Sequence, residues 1–168
     1  MPKIIENLPQ KLAEEAKRQI QEVGYEAMTI RSVAQKCQVG VGTVYNYYRS
    51  KEELVAAFML EDWKSCVLSI ETCAERACEV TLVLREIHDC LWAYVQRHQS
   101  VFRDKAAAVS VSGTSGYYHS MLRSQLAAPI RRFCRDDFTA EFVAEAMLTW
   151  TVDGKDFDSL NEILKRLF

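Results

Sequence analysis

The spacing of apolar residues limits the fold of this chain more than any other feature. Apolar side chains recur every three or four positions along almost the whole sequence, and no segment sustains an alternation of Val, Ile or Thr with polar residues. A spacing of three and four places apolar residues on one face of an α-helix, whereas a half-buried strand needs a period of two. The sequence therefore predicts an all-α fold.

Length and composition limit the class of protein further. The chain has 168 residues, enough for one ordinary domain or for a small module attached to a larger body. It is 49% hydrophobic and 26% charged, which is typical of a globular protein. It contains neither a leader pattern nor an apolar run of the roughly 20 residues that span a bilayer. We therefore expect a cytoplasmic protein without a membrane partner.

The cysteines and the titratable residues give little indication of chemistry. The six cysteines lack CxxC spacing and fall in helical patterns, which favours buried free thiols over disulfides or a zinc site. The chain has no HExxH motif, nucleophile elbow or phosphate-binding glycine loop. We therefore expect no enzymatic activity, no catalytic residues, no metal and no cofactor.

The charges are distributed unevenly along the chain. Residues 1–51 contain eight Lys and Arg against five Asp and Glu, whereas the remainder contains 13 against 18, and the net charge is −2. A basic segment joined to an acidic one indicates a polyanion-binding portion attached to a portion with another task. This signal is weak alone, since a basic face is usually just a solvated face.

Three helices are expected at the start of the chain: Asn7 to Val23, Ile30 to Cys37 and Val41 to Tyr48. Asn7, Thr29 and Gly40 stand at their N-cap positions, and Gly24 is the left-handed stop after the first helix. The last two helices are short and joined by a tight turn, and the third exposes small and hydroxyl-bearing residues. A helix that enters the major groove needs these properties, although the tyrosines 45, 47 and 48 would also suit a small helical bundle.

These residues also carry a resemblance. The segment MTIRSVAQKCQVGVGTVYNYYRSKEEL, preceded by a helix ending in EVGYEA, resembles the helix-turn-helix of the TetR/AcrR family of bacterial transcription regulators over roughly residues 11–58. The resemblance implies DNA-backbone contacts from Thr29, Tyr45, Tyr47 and Lys51. It implies base contacts from Arg31, Val41, Gly42 and Thr43.

Two positions depart from the family pattern. Gln38 stands in the turn where glycine is usual, and Gly40 stands where serine usually caps the third helix. If Gln38 has a positive φ, the strain costs on the order of 1 kcal/mol. Glycine caps slightly less well than serine, so we expect the motif to form despite both changes.

The rest of the chain predicts a helical body. A fourth helix begins after Ser50, with Glu53 in a capping box, and runs to the mid 70s. Further helices are expected at about Thr81–His98, Val101–Val109, Gly116–Cys134, Thr139–Val152 and Phe157–Phe168, and Ser110–Gly116 has a loop-like composition. We expect a helix-turn-helix DNA-binding domain at residues 1–50 and a ligand-sensing and dimerisation domain at residues 51–168.

Two sets of residues in this body are candidates for function. Side chains with an apolar body and a polar tip suit both a core and a small-molecule pocket, and the effector-binding candidates are Trp63, Cys66, His88, Leu91, Trp92, Phe102, Tyr117, Tyr118 and Met121. Pro129 is expected to kink the helix over residues 116–134 and open a cavity. The last two helices carry more apolar surface than one body needs, and the dimer-interface candidates are Phe142, Ala146, Trp150, Leu160 and Leu164.

The sequence thus predicts a DNA-binding transcriptional regulator. As the resemblance implies, we expect a homodimeric repressor that binds a double-stranded, pseudo-palindromic operator and is released by an unknown small-molecule effector. The alternative is a ligand-independent DNA-binding or architectural protein.

Overall fold

The computed structural model describes residues 7–103 and 115–168, with the backbone alone at 115–118. The helices are α1 (Leu8–Val23), α2 (Ile30–Lys36), α3 (Val41–Tyr45), α4 (Lys51–Arg76), α5 (Val80–Arg97), α6 (Gln99–Arg103), α7 (Ser115–Ile130), α8 (Asp137–Val152) and α9 (Phe157–Leu164). Short 3-10 helices at Arg131–Phe133 and Lys165–Leu167 follow α7 and α9. These residues form no strand, so the all-α prediction is confirmed. None of the described helices is long and apolar enough to cross a membrane.

The chain forms two compact units. Among the described residues, the first unit contains 7–61 and 98–103, and the second contains 62–97 and 115–168. The helix α4 contributes to both, because it passes from the first unit to the second after Glu61. The predicted domain boundary at residue 50 stays a prediction.

The first helix ends as predicted but begins differently. Gly24 has a φ of 86°, and its N–H donates to the carbonyl of Ile20, which closes the last turn of α1. Asn7 precedes the helix with a left-handed φ of 56°, and its side chain makes no capping hydrogen bond. An N-cap side chain reaches the first turn from an extended backbone, so the prediction that Asn7 caps α1 was wrong.

Several predicted helix ends are corrected by the structure. The third helix ends at Tyr45 rather than Tyr48, and α9 gives way to a 3-10 turn after Leu164. Pro129 is the penultimate residue of α7, so it lies at a helix end rather than at a mid-helix kink. Ser115 and Gly116 begin α7, while residues 110–114 of the predicted loop and 104–109 of the predicted sixth helix lie outside the described residues.

The core of the second unit corrects part of the predicted dimer interface. Helix α8 packs against α5 and α7, and α9 packs against α5 and α8. Leu160 and Leu164 are almost fully buried within this core. They were predicted at a dimer interface, but the apolar face of α9 is needed to cover α5 and α8 of the same chain. They therefore offer no surface to a second subunit.

Arg132 satisfies carbonyl groups at the end of α4. Its guanidinium donates from Nη1 to the carbonyl of Ala74 and from Nη2 to the carbonyl of Ala77, the latter at 2.9 Å. The last carbonyls of a helix have no partner within the helix itself, so these bonds replace solvent at a partly buried site.

We expect Arg132→Ala to lower the free energy of unfolding by about 2 kcal/mol, because it removes charge-assisted hydrogen bonds to carbonyls that stay partly buried. Urea denaturation followed by circular dichroism measures the change, and Arg135→Ala, on an exposed cation, is the matched control. A loss no larger than in the control would mean that water satisfies these carbonyls equally well.

Candidate nucleic-acid interface

Thr29 fixes the start of α2. The N–H of Ser32 donates to the Thr29 hydroxyl at 3.0 Å, and the N–H of Thr29 donates to the Ser32 hydroxyl at 3.1 Å. This reciprocal pair is a capping box, and Ser32 also donates to the Gln19 side chain at 2.5 Å. The Thr29 hydroxyl accepts this bond through a lone pair, and a hydroxyl that accepts can also donate its proton, here to a DNA phosphate.

Helix α2 separates into a buried and an exposed face. Ile30, Val33 and Ala34 are buried, and Arg31 is exposed on the other side. Cys37 follows the helix rather than ending it and is half-buried. Burial raises the pKa of its thiol, so Cys37 is a packing residue.

The turn between α2 and α3 has a strained residue at its centre. Gln38 has a φ of 57°, the left-handed conformation anticipated where glycine is usual. The N–H of Val39 donates to the carbonyl of Ala34 at 3.0 Å, so the turn is closed by backbone bonds. The strain at Gln38 comes from its Cβ atom and not from a missing hydrogen bond.

We expect Gln38→Gly to raise the free energy of unfolding by about 0.5 to 1 kcal/mol, because the relief of Cβ strain exceeds the entropy that glycine adds to the unfolded chain. Thermal denaturation measures the change. Gln35→Gly, on the exposed face of α2, should instead lower the free energy of unfolding. Equal effects of the two substitutions would contradict the argument from φ.

Helix α3 exposes nearly all of its surface. Val44 is its one buried residue, while Val41, Gly42 and Tyr45 are exposed and Thr43 is half-exposed. A Cβ atom built on Gly42 would meet nothing within 4 Å. Small side chains and an open approach allow a helix to lie close to base edges in the major groove.

The three tyrosines after this helix have different environments. Tyr45 is 51% exposed and Tyr47 is 47% exposed, whereas Tyr48 is half-buried. The Tyr48 hydroxyl donates to the carbonyl of Pro9 at 3.0 Å, and burial raises its pKa. The small-bundle interpretation therefore applies to Tyr48, while Tyr45 and Tyr47 lie at the surface beside α3.

Lys51 has an internal role that the sequence did not reveal. Its ammonium donates to the carbonyl of Tyr25 at 2.5 Å and lies 4.1 Å from the centre of the Tyr25 ring. The Tyr25 hydroxyl donates to Glu52 at 3.2 Å, and hydrogen bonds from the Glu52 backbone N–H, from Ser50 and from Tyr25 lower the pKa of that carboxyl. Lys51 thus ties the start of α4 to the segment between α1 and α2.

The effector-binding candidates do not form one group. Trp63, Cys66 and Leu91 are buried together in the core of the second unit. His88 instead packs against Phe157, with ring centres 5.6 Å apart, and Trp92 is exposed. Phe102 is exposed in the first unit, and Met121 is half-buried beside an open groove on α7. The side chains of Tyr117 and Tyr118 lie outside the described residues.

Two polar side chains near Trp63 were missing from the predicted set. The indole N–H of Trp63 donates to the side-chain oxygen of Gln125 at 2.6 Å, and the Trp63 ring meets Tyr94 edge to face at 5.6 Å. Burial raises the pKa of the Tyr94 hydroxyl. Tyr94 continues the apolar face that contains Leu91, which the sequence could have indicated, whereas no pattern marks Gln125.

Helix α8 presents apolar side chains to solvent. Phe138, Phe142 and Trp150 are exposed, and Phe142 has 52% of its surface accessible. Ala146 is half-buried between them, and Ile163 and Leu167 are exposed near the chain end. The interface residues predicted on α8 therefore remain accessible, unlike those predicted on α9.

The α2–α3 arrangement is a helix-turn-helix: a capped first helix, a tight turn and a second helix with an open surface. Residues 12–58 match the family described as bacterial regulatory proteins, tetR family. Residues 12–58 thus match the TetR-family regulators, and the resemblance drawn from the sequence of this segment is confirmed.

Solved structures agree on the fold. Salmonella enterica GusR is 14% identical with a TM-score of 0.62, covering 97% of this chain and 95% of that one. The multidrug binding protein EbrR, complexed with imidazole, is 16% identical with a TM-score of 0.61, covering 95% and 94%. FadR from Bacillus subtilis, in complex with stearoyl-CoA, is 16% identical with a TM-score of 0.55, covering 94% and 96%. No curated protein matches the chain.

Proposed function

We propose that this DNA-binding regulator is a repressor that binds a pseudo-palindromic operator as a homodimer and leaves it when a small molecule binds the second unit. The observation that carries the DNA-binding part is the surface of α3, where Val44 alone is buried and the remaining side chains are accessible. So short a helix with so little buried surface contributes little to a core, which favours a role in recognition.

Within this interface, the side chains divide by the DNA group they suit. Tyr45 and Tyr47 are exposed tyrosines, and the exposed Thr29 hydroxyl can donate its proton, so all three suit phosphate oxygens. Arg31 is an exposed guanidinium that can donate two hydrogen bonds to a guanine. Val41, Gly42 and Thr43 allow close approach to base edges. We assign Lys51 a supporting role, because its ammonium already bonds the Tyr25 carbonyl.

Selection from a randomised DNA duplex pool, followed by fluorescence anisotropy at several salt concentrations, tests this assignment. Arg31→Ala should cost about 1 to 3 kcal/mol on the selected sequence and relax preference at one base pair in each half-site. Tyr45→Phe and Tyr47→Phe should weaken binding to all duplexes about equally.

The matched control for these variants is Arg135→Ala, on an exposed cation of the second unit. If Arg31→Ala lowers the affinity for the selected duplex and for random duplexes by the same factor, Arg31 contacts only the DNA backbone. If selection enriches no two-fold sequence, the proposal of a pseudo-palindromic operator fails.

The homodimer part of the proposal is supported by the exposed apolar residues of α8. Two recognition helices must lie about 34 to 36 Å apart to enter successive major grooves on one side of the duplex. The described part of one chain contains one such helix, α3. Phe138, Phe142 and Trp150 supply apolar surface of the kind that a two-fold interface buries.

The effector part rests on the second unit. FadR from Bacillus subtilis was solved with stearoyl-CoA and EbrR with imidazole, so proteins of this fold bind small molecules. In this chain, Trp63, Tyr94 and Gln125 combine buried aromatic surface with polar tips, and we place the effector beside them.

A thermal-shift screen with small apolar and cationic compounds tests for an effector, and Trp63 fluorescence in a Trp92→Phe, Trp150→Phe background tests its position. A hit should raise the melting temperature, change Trp63 emission and release the operator, and Gln125→Met should weaken all three effects. If no compound that stabilises the protein alters DNA binding, the alternative of a ligand-independent DNA-binding or architectural protein is favoured.

A further inference from the structure

Two contacts fix how α4 and α5 run beside each other in the second unit. Ser69 on α4 donates to the carboxylate of Glu86 on α5 at 2.6 Å. One turn further along α4, the thiol of Cys73 lies 3.7 Å from the carbonyl of Leu82, one turn earlier on α5. The helices are therefore antiparallel, and the same register places Cys66 beside residues 89 and 90 of α5.

The side chains of Cys66 and Cys90 lie beside each other in this register. Cys66 is buried in the core of the second unit, and Cys90 packs against that core. Cys90 also contacts the Glu86 carboxylate, with 3.3 Å between Sγ and Oε1. All six cysteines of the chain are free thiols.

The two thiols differ in reactivity. The neighbouring Cys66 thiol lowers the pKa of the Cys90 thiol and outweighs the opposing effects of burial and of the Glu86 carboxylate, whereas the Cys90 thiol and burial raise the pKa of Cys66. Cys90 is also the more exposed of the pair. The thiolate is the reactive form of cysteine, so Cys90 is the sulfur that an oxidant meets first and Cys66 is the sulfur placed to resolve the product.

We propose that Cys66 and Cys90 are a redox-active dithiol that a hydroperoxide converts into a disulfide between α4 and α5. The Cys90 thiolate attacks the terminal peroxide oxygen, the O–O bond breaks, and Cys90 sulfenic acid forms with release of an alkoxide, which is hydroxide when the oxidant is hydrogen peroxide. The Cys66 sulfur then attacks the Cys90 sulfur, the S–O bond breaks, and the Cys66 proton joins the departing hydroxide as water. Two thiols are oxidised, and with hydrogen peroxide two water molecules are released.

Cys73 is the natural comparison for this pair. It lies on α4 with Cys66, seven residues further along the helix, and its thiol already contacts the Leu82 carbonyl. Cys66 and Cys73 are two helical turns apart, a separation of about 11 Å along the helix axis, so the two cannot form a disulfide with each other. Cys73 is therefore a thiol on the same helix that lies outside the proposed pair, which makes Cys73→Ser the matched control.

The experiment treats the full chain with an equimolar amount of hydrogen peroxide and titrates thiols after denaturation. The number of free thiols per chain should fall from six to four in the wild type. In Cys73→Ser it should fall from five to three. Peptide mapping should find a link between residues 66 and 90 that dithiothreitol removes. Cys90→Ser should lose this step, and Cys66→Ser should stop at a sulfenic acid that dimedone traps.

Two results would overturn the proposal without relying on any variant. One is wild-type protein in which Cys66 and Cys90 both remain reduced while the exposed Cys78 is oxidised. The other is a titre that falls by two with a mapped link other than 66 to 90, including a link between two chains on a non-reducing gel.

Discussion

Gly42→Glu is expected to fold like the wild type and to lose DNA binding by about 100-fold or more, roughly 3 kcal/mol, because a carboxylate faces the phosphate-lined groove. Gly42 is exposed, and a Cβ atom there meets nothing within 4 Å. An acidic residue in the first turn of α3 also interacts favourably with the helix dipole. The loss should therefore appear in binding and not in stability.

Gly42→Ala is the control for this substitution. Alanine should stabilise α3 by up to about 1 kcal/mol and weaken DNA binding much less than glutamate, because it adds one methyl group and no charge. Thermal denaturation and anisotropy on the selected operator separate the two effects. If a folded Gly42→Glu protein retained its operator affinity, this result would show that α3 does not enter the major groove.

Phe142→Glu is expected to convert the proposed homodimer into a monomer at micromolar concentration. A charge placed at the centre of an apolar interface would be buried without a partner, and one such change costs several kcal/mol. Because Phe142 is exposed on α8 of one chain, the substitution should leave the fold of that chain intact. Analytical ultracentrifugation measures the change, and operator affinity should fall with it.

Leu82→Glu is the matched control, since Leu82 on α5 is similarly exposed and lies outside α8 and α9. It should leave the association state unchanged. If both variants remain dimeric, the two-fold contact does not use α8. If the wild type is itself monomeric at these concentrations, the homodimer proposal fails.

The sequence predicted several features of the helix-turn-helix well because these features depend on local interactions. The Thr29 cap, the Gly24 stop and the positive φ of Gln38 each involve residues within one helical turn. The exposed face of α2 follows from a spacing of three and four within seven residues. Such features are specified by neighbours along the chain and can be read before any tertiary contact is known.

Contacts between residues far apart in sequence decided the side-chain partners and determined which helix faces are buried. Nothing near Lys51 indicates that its ammonium bonds the Tyr25 carbonyl, and nothing near Trp63 indicates that Gln125 accepts its N–H. An apolar stripe shows that a helix face is covered but not whether the same chain or a partner covers it. Leu160 and Phe142 lie on similar stripes, and only the packing of α9 onto α5 and α8 buries the first and leaves the second exposed.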